Sequence, residues 1–260
     1  MRTWSANHLF VLKELVKRDF RGRYAGSVLG FAWSFVQPLW QLVLFSFVFS
    51  VVLKVSPAGE RTQSFGVFLF CGLLPWLAVQ EGAMRSATVI TDQANLVKKL
   101  SFPSEILVAS VVLAALLHEA IAAAVFLLVL GVTQGFSLGG LPVLLIAIPL
   151  QLCLTLGLGL LFASMQVFLR DIAQILTMVF GAWFYLTPIV YPLSYVPARW
   201  RGWVESNPMT ALVQLYRQSF LGQQVSLVPG TLTLAAAAGG ALLLGAWTFT
   251  RLKVTFADQI

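Results

Sequence analysis

Long apolar runs separated by short polar stretches dominate the hydrophobicity pattern of the chain. A helix needs roughly 20 mainly apolar residues to cross the hydrocarbon core of a bilayer. Six runs reach this length and predict six transmembrane spans, at about 29–53, 65–84, 106–131, 141–168, 172–191 and 229–250. The pattern therefore predicts an all-α integral membrane protein in which residues 1–260 form a single transmembrane domain.

A polar segment precedes the first apolar run, and its apolar residues recur at helical spacing on one face. Basic residues occupy the opposite face, as expected for a helix that lies in the headgroup plane of a membrane. Residues 1–27 are therefore predicted to contain an interfacial helix, although a helix that binds a soluble partner would have the same pattern. Phe10 and Asp19 depart from this pattern, because each falls on the wrong face.

The segment 192–228, between the fifth and sixth predicted spans, is long and too polar to cross the membrane. Prolines at its start prevent a continuous helix. Further along, Ser206-Asn207-Pro208 is a helix start signal and Gly222 is a stop signal. Together they predict a helix over 208–221, which is too short to span the hydrocarbon core.

The composition excludes a soluble globular protein. Hydrophobic residues make up 58% of the chain and charged residues only 10%, whereas about a quarter of the residues in a soluble domain are charged. The mean hydropathy is +0.85. Cys71 and Cys153 both lie within apolar runs, and we interpret them as packing residues without a disulfide or a metal site.

The distribution of lysine and arginine predicts the orientation of the chain. With both termini in the cytoplasm, 12 of the 17 basic residues fall in cytoplasmic segments. Cytoplasmic loops of membrane proteins are enriched in these residues. The positive net charge of +7 therefore reflects membrane topology and does not indicate a nucleic-acid partner.

Several stretches resemble, in order, the permease subunits of the ABC-2 type exporters that serve O-antigens, capsules and teichoic acids. They are YAGSVLGFAWSFVQPLW, FLFCGLLPWLAVQEGAMRSATVITDQANLVKKLSFPSEIL, FLRDIAQIL, LTPIVYP and ESNPMTALVQLYRQSFLG. The resemblance covers nearly the whole chain. It implies a homodimer that binds two copies of a separate ABC ATPase and exports a lipid-linked glycan across the bacterial cytoplasmic membrane. It also implies re-entrant helices within 192–228.

The sequence itself argues for a separate ATPase. A nucleotide-binding P-loop ends in Gly-Lys followed by Ser or Thr. None of the six lysines follows a glycine or precedes a serine or threonine. We therefore expect no cofactor in this chain, with ATP and Mg²⁺ bound by the partner subunit.

The polar stretch 92–107, DQANLVKKLSFPSEIL, is the candidate contact for that ATPase. We predict a short helix that begins at Asn95 as its N-cap, carries an apolar side and ends at Pro103. Such a rigid knob suits a groove on a soluble partner, and the resemblance implies that it is the coupling helix; an ordinary basic loop is the alternative. The predicted coupling residues, including two from the turn LRDI, are Asn95, Leu96, Lys98, Lys99, Phe102, Pro103, Arg170 and Asp171.

Aromatic residues are candidates for the glycan pathway, because the apolar faces of sugar rings stack on aromatic rings while hydroxyl groups bond at the edges. An aromatic belt at the membrane interface would give the same enrichment. The positions that the resemblance supports are Trp76, Trp183, Tyr185, Tyr191, Tyr195, Trp200, Trp203 and Tyr216.

Three ionisable residues, Glu81, His118 and Glu119, fall within predicted spans. Such residues are costly in the membrane and indicate function by default. They could form a proton relay, as in a proton-coupled secondary transporter, or a polar contact between helices in which Glu119 pairs with Gln151 or Gln166. An ABC-2 permease for a non-glycan substrate is a further alternative. We expect a transport subunit and no enzyme, because no carboxylate pair, metal cluster or nucleophile constellation is evident.

Overall fold

The computed structural model describes residues 6–22, 27, 29–52, 54, 62, 64–99, 103–133, 138–222 and 228–260. These residues form eleven α-helices and no β-strand, which confirms the all-α prediction. The helices are α1 Ala6–Gly22, α2 Trp33–Phe45, α3 Phe65–Asp92, α4 Ala94–Lys99, α5 Glu105–Thr133, α6 Leu144–Phe168, α7 Ile172–Leu186, α8 Ala198–Glu205, α9 Pro208–Phe220, α10 Thr231–Leu252 and α11 Phe256–Gln259. A π-helix, Ser46–Val52, continues α2.

Five helical segments in the described part of the chain are long and apolar enough to cross a membrane. They are Trp33–Val52, Phe65–Asp92, Glu105–Thr133, Gly139–Phe168 and Thr231–Thr255. They correspond to the predicted first, second, third, fourth and sixth spans. The fifth predicted span falls on α7, which is apolar but has only 15 residues. The count of six membrane crossings stays a prediction.

Helix α7 ends early because a proline follows. Proline disfavours helical backbone at the residue before it, and Thr187, next to Pro188, has an extended backbone with ψ of 133°. At 1.5 Å per residue, α7 is about 22 Å long, shorter than the roughly 30 Å of a hydrocarbon core. The backbone groups at its end therefore need partners within the protein.

Helix α3 is the centre of the bundle. It is buried over most of its length and contacts α2, α5, α6, α7 and α9. The larger apolar core surrounds its first two-thirds. A smaller core, which we call the end cluster, lies where α3 leads into α4. The end cluster consists of Val89, Ile90, Leu107, Val108, Val111, Leu160, Ala163, Val167, Phe249 and Phe256.

Helix α1 confirms that the segment 1–27 contains an amphipathic helix, and it packs along α5. Leu15 contacts the end cluster, whereas Leu9 and Phe10 are exposed. The ends of the predicted segment, 1–5 and 23–26, lie outside the described residues. The interfacial position of α1 stays a prediction.

The predicted helix after the fifth span is confirmed as α9, and it ends one residue earlier than expected. The Asn207 side chain accepts a hydrogen bond from the Met209 N–H at 3.0 Å, as its sequence signature indicates. Gly222 has a φ of +63°, a left-handed conformation that suits glycine at a helix stop. Almost all of α9 is buried, against α3, α6 and α10. The described part of 192–228 excludes 223–227, and its re-entrant placement stays a prediction.

Candidate coupling and gate sites

The candidate coupling segment forms α4, a helix of six residues between α3 and α5. Its predicted N-cap is wrong by position, because α4 begins at Ala94 and Asn95 lies within the helix. Asn95 and Lys98 are exposed, Leu96 is half-buried, and Pro103 accepts a hydrogen bond from the Ile106 N–H at 3.0 Å in the first turn of α5. Phe102 and the side chain of Lys99 lie outside the described residues.

The inner side of α4 packs against the end cluster of the same chain. Val97 packs against the end cluster, together with Leu15 of α1, Leu252 of α10 and Ile260. We predicted that the apolar side of this helix contacts a partner, but Val97 on that side packs against the end cluster of this chain. Asn95 and Lys98 therefore form the exposed side of a supported helix.

A glutamine stabilises the turn between α6 and α7, where Arg170 and Asp171 are both exposed. The Gln166 side chain donates to the Arg170 carbonyl at 2.9 Å and accepts from the Ala173 N–H at 2.8 Å. Both ends of the turn are therefore tied to one amide. Gln166 serves this turn and is not the partner of Glu119 that the sequence left open.

Arg85 of α3 joins α1 to the membrane bundle. Its guanidinium donates two hydrogen bonds to the Asp19 carboxylate, one of them at 3.0 Å, and a third to Glu81 at 3.2 Å. On the far side of Glu81, the His118 Nδ1 lies 3.9 Å from the carboxylate. Asp19 departs from the amphipathic pattern of α1 because it lies on the side of the helix that faces Arg85.

A cavity of about 430 Å³ lies between α2, α3 and α5. It brings together the three predicted intramembrane residues, Glu81, His118 and Glu119. Arg85 and the amides of Gln37, Gln41 and Gln80 also line it. A second pocket, beneath α1, shares Glu81 and Arg85 with the first. These ionisable groups thus face a cavity inside the protein, which they line together with apolar side chains such as Phe70 and Leu74.

A chain of two hydrogen bonds links Glu119 to Gln151 and Gln151 to Tyr216. The Gln151 amide donates to Glu119 Oε2 at 2.6 Å, and the Tyr216 hydroxyl donates to Gln151 Oε1 at 2.5 Å. All three side chains are buried. This triad joins α5, α6 and α9, which confirms the predicted pairing of Glu119 with Gln151 and supports a polar contact between helices. Tyr216, predicted to line the pathway, is only 3% exposed in this chain.

Arg217, which follows Tyr216 on α9, is fully buried. It donates to the carbonyls of Pro188 and Ile189 at 2.8 Å each. Its guanidinium carbon also lies 3.6 Å from the centre of the Phe68 ring, a cation–π contact. Arg217 therefore supplies the partners that the chain needs after α7 ends at its proline. In the sequence, Arg217 is one of the five basic residues that fall outside the predicted cytoplasmic segments.

Two of the predicted pathway tryptophans belong to a packed aromatic group. Trp76 is buried, and its ring lies edge-on to Phe180, Trp183 and Phe184 at 5.6–5.9 Å between centroids. The Trp76 indole donates to Gln80 at 2.9 Å, and the Trp183 indole donates to Asn207 at 3.0 Å. Asn207 therefore links α7 to the start of α9 as well as capping α9.

The remaining pathway candidates lie near the surface. Tyr185, Tyr195, Trp200 and Trp203 are exposed, and Tyr191 is half-buried, with its hydroxyl donating to the Tyr185 carbonyl at 3.0 Å. The four exposed side chains present surface that a ligand, lipid or another chain can contact. Their role in the pathway stays a prediction.

Comparison with known proteins identifies the class. Residues 11–221 match the ABC-2 type transporter family, and the chain belongs to this family. It is similar to the O-antigen export system permease protein RfbA of Myxococcus xanthus, with 29% identity over 253 residues, which cover 96% of this chain and 95% of that protein. An RfbA protein of the same description from Klebsiella pneumoniae is 27% identical over 98% of this chain and 97% of its own length.

A third relative is less similar. The polysialic acid transport protein KpsM of Escherichia coli is 23% identical over 83% of each chain. These matches confirm the resemblance to the polysaccharide branch of the ABC-2 permeases. Together with the long apolar helices, they identify a multi-pass bacterial membrane protein of the transport-subunit class.

Proposed function

We propose that the chain is the permease subunit of an ATP-driven exporter that moves a lipid-linked polysaccharide across the bacterial cytoplasmic membrane. O-antigen is the favoured cargo, with capsule or teichoic acid as related cargoes. Membership of the ABC-2 family and the export functions of the relatives support this proposal. ABC-2 permeases generally work with an ABC ATPase, so ATP and Mg²⁺ are assigned to that partner and no cofactor to this chain.

The observation that carries the coupling part of the proposal is the geometry of α4. Its outer side is polar and exposed at Asn95 and Lys98, while Val97 anchors its inner side on the end cluster. A lever must be supported to transmit motion, and α4 contacts α3 and α11 and packs on the end cluster through Val97. The Gln166-braced turn at Arg170 and Asp171 gives a second exposed contact.

The proposed assembly is a homodimer with two ATPase copies on the cytoplasmic side. Each permease has six crossings, with α7 as the short fifth crossing and both termini in the cytoplasm. Large apolar side chains are exposed on α2, on the π-helix that continues it and on α7, such as Trp40, Phe47 and Met178. They suit contact with lipid and with a second copy. Exposed Tyr185, Tyr195, Trp200 and Trp203 are the proposed glycan contacts.

Site-specific crosslinking tests the coupling proposal. A photo-crosslinking residue at position 98 should form a covalent adduct with the purified ABC ATPase of the complex. The same residue at position 199, on exposed α8, is the matched control and should form none. Adducts at 199 with none at 98 would assign the ATPase to the other side of the protein.

A second candidate is a proton-coupled transporter, favoured by one observation: Glu81, His118 and Glu119 line the same cavity. It predicts that cargo moves in vesicles that contain only this chain and a proton gradient. The ABC proposal predicts no movement until the ATPase and ATP are supplied. If the cargo is not a glycan, transport should still require the ATPase and ATP. Added lipid-linked glycan should then leave transport of that cargo unchanged.

A further inference from the structure

An ion pair joins the end of α10 to the start of α5, the helix that follows the coupling segment. The Lys253 Nζ lies 2.7 Å from the Glu105 Oε1. Glu105 is the first residue of α5 and stands two positions after Pro103, where the coupling segment ends. Lys253 directly follows α10. The position of one end of the coupling segment is therefore tied to the end of α10.

An apolar contact lies beside this ion pair. Phe256 is fully buried, with its ring edge-on to Phe249 at 5.3 Å and tilted against Phe168 at 6.4 Å between centroids. Ile260 packs on the same end cluster that supports Val97 of α4. Helix α11 also contacts α4 directly. The segment 253–260 thus touches the coupling segment at its exit and at its inner side.

The entry of α4 has its own attachment. Arg18 of α1 donates to the Gln93 side chain at 2.7 Å, and Gln93 is the residue between α3 and α4. Isolated helices as short as α4 are unstable in water. We therefore expect the orientation of α4 to depend on the contact at its entry, on the packing of its inner side and on its contact with α11.

We propose that the segment 253–260, which we call the clamp, positions α4 for the ATPase. Lys253 and Phe256 are positioning residues: Lys253 holds the exit of α4 through Glu105, and Phe256 fills the base on which α4 rests. Motion of the ATPase then reaches α5 and α10 together, because the clamp joins them. This inference rests on the proposed function, since it assigns a role at the same ATPase contact.

The test measures glycan translocated per ATP hydrolysed by the purified permease–ATPase complex in vesicles. Lys253→Met removes the ion pair, and we expect this ratio to fall at least threefold while ATP hydrolysis continues. Arg251→Met is the matched control, because Arg251 is exposed in the same turn and lies over the Trp247 ring. It should leave the ratio within the error of the parent protein.

A charge exchange separates positioning from folding. The double variant Lys253→Glu with Glu105→Lys restores an attractive pair, and we expect it to recover at least half of the lost ratio. An unchanged ratio in Lys253→Met, or no recovery in the exchange when both variants assemble with the ATPase, overturns the clamp. A fall that only parallels the loss of assembled complex overturns it too.

Lys98→Glu distinguishes failure of the clamp from failure of the proposed function. If Lys98→Glu lowers the ratio and Lys253→Met does not, α4 couples to the ATPase without help from the clamp. If neither variant affects the ratio, the ATPase does not act through α4, and the coupling proposal itself is wrong. Phe256→Leu, which keeps most of the buried volume, should retain the ratio better than Phe256→Ala if assembly is equal.

Discussion

Asp19 of α1 and Arg85 of α3 form a two-point ion pair across 66 residues of sequence. The pair is partly buried and continues through Glu81 to His118. It fixes the amphipathic helix to the centre of the bundle at the second pocket, which lies beneath α1. A helix that the sequence assigns to the membrane surface is thus also a structural part of the transmembrane domain.

Asp19→Asn should loosen α1. Loss of the charge weakens a bidentate, charge-assisted contact, which contributes about 1.5–3 kcal/mol when it is protected from water. Because both side chains retain some exposure to water, we expect about 1 kcal/mol. The midpoint of thermal unfolding in detergent should fall by several degrees.

The matched control is Glu14→Gln, on the same helix. Glu14 is exposed and lies 4.0 Å from Lys17 on the outer face of α1. It should leave the unfolding midpoint nearly unchanged. Equal effects of the two substitutions would contradict a specific role for the Asp19–Arg85 pair.

Arg217→Gln should destabilise the region that follows α7. The substitution leaves the carbonyls of Pro188 and Ile189 without their charged donor in a buried site. Hydrogen bonds to charged groups contribute about 1.5–3 kcal/mol each, so we expect a loss of about 3 kcal/mol or more. The yield of monodisperse protein and its unfolding midpoint measure the effect.

Arg199→Gln on α8 is the control for that variant. Arg199 is exposed and lies over the Trp200 ring at 5.1 Å. Its substitution should change yield and midpoint little. If Arg217→Gln behaves like Arg199→Gln, the buried arginine does not hold the end of α7.

Glu119→Gln should retain export. An amide at this position keeps an oxygen that accepts from Gln151, so the contact between α5 and α6 survives. A proton relay would lose its ionisable group and stop. Surface glycan per assembled complex in cells measures the outcome, and abolished export with normal assembly would favour the relay.

Gln151→Leu and Tyr216→Phe should be energetically coupled. Their side chains share one hydrogen bond, so the double variant should lose less stability than the sum of the single variants. Because hydrogen bonds between membrane helices average well under the values in soluble cores, we expect a coupling of about 0.5–1.5 kcal/mol. Tyr195→Phe, at an exposed position, should show no coupling to Gln151→Leu.

Local sequence signals were sufficient for the long apolar helices and for α9, but not for the short helices α8 and α11. Apolar run length predicted five membrane-length helices, and Asn207 with Pro208 marked the start of α9 at the correct residue. These features depend on neighbours along the chain. The shortness of α7 was also encoded locally, in Pro188, but hydropathy continues past it and extended the prediction to residue 191.

The contacts between distant residues were beyond the sequence. Gln151 and Gln166 were equal candidates for Glu119, and only the packing of α5 against α6 selects Gln151. The sequence indicated only that Arg217 lies outside the predicted cytoplasmic segments. Its hydrogen-bond acceptors are backbone carbonyls, and because every residue has one, no sequence pattern points to this pairing. The burial of Tyr216 and Arg217 follows from the packing of α9 inside the bundle.

The central claim is that an external ATPase drives this chain through α4. Its most direct measurement is glycan translocation into vesicles that contain the chain with or without its ATPase, for the parent protein and for Lys98→Glu. The account predicts transport only with ATPase and ATP, and a severalfold lower yield per ATP for Lys98→Glu. Transport by the chain alone, without any nucleotide hydrolase, would contradict it.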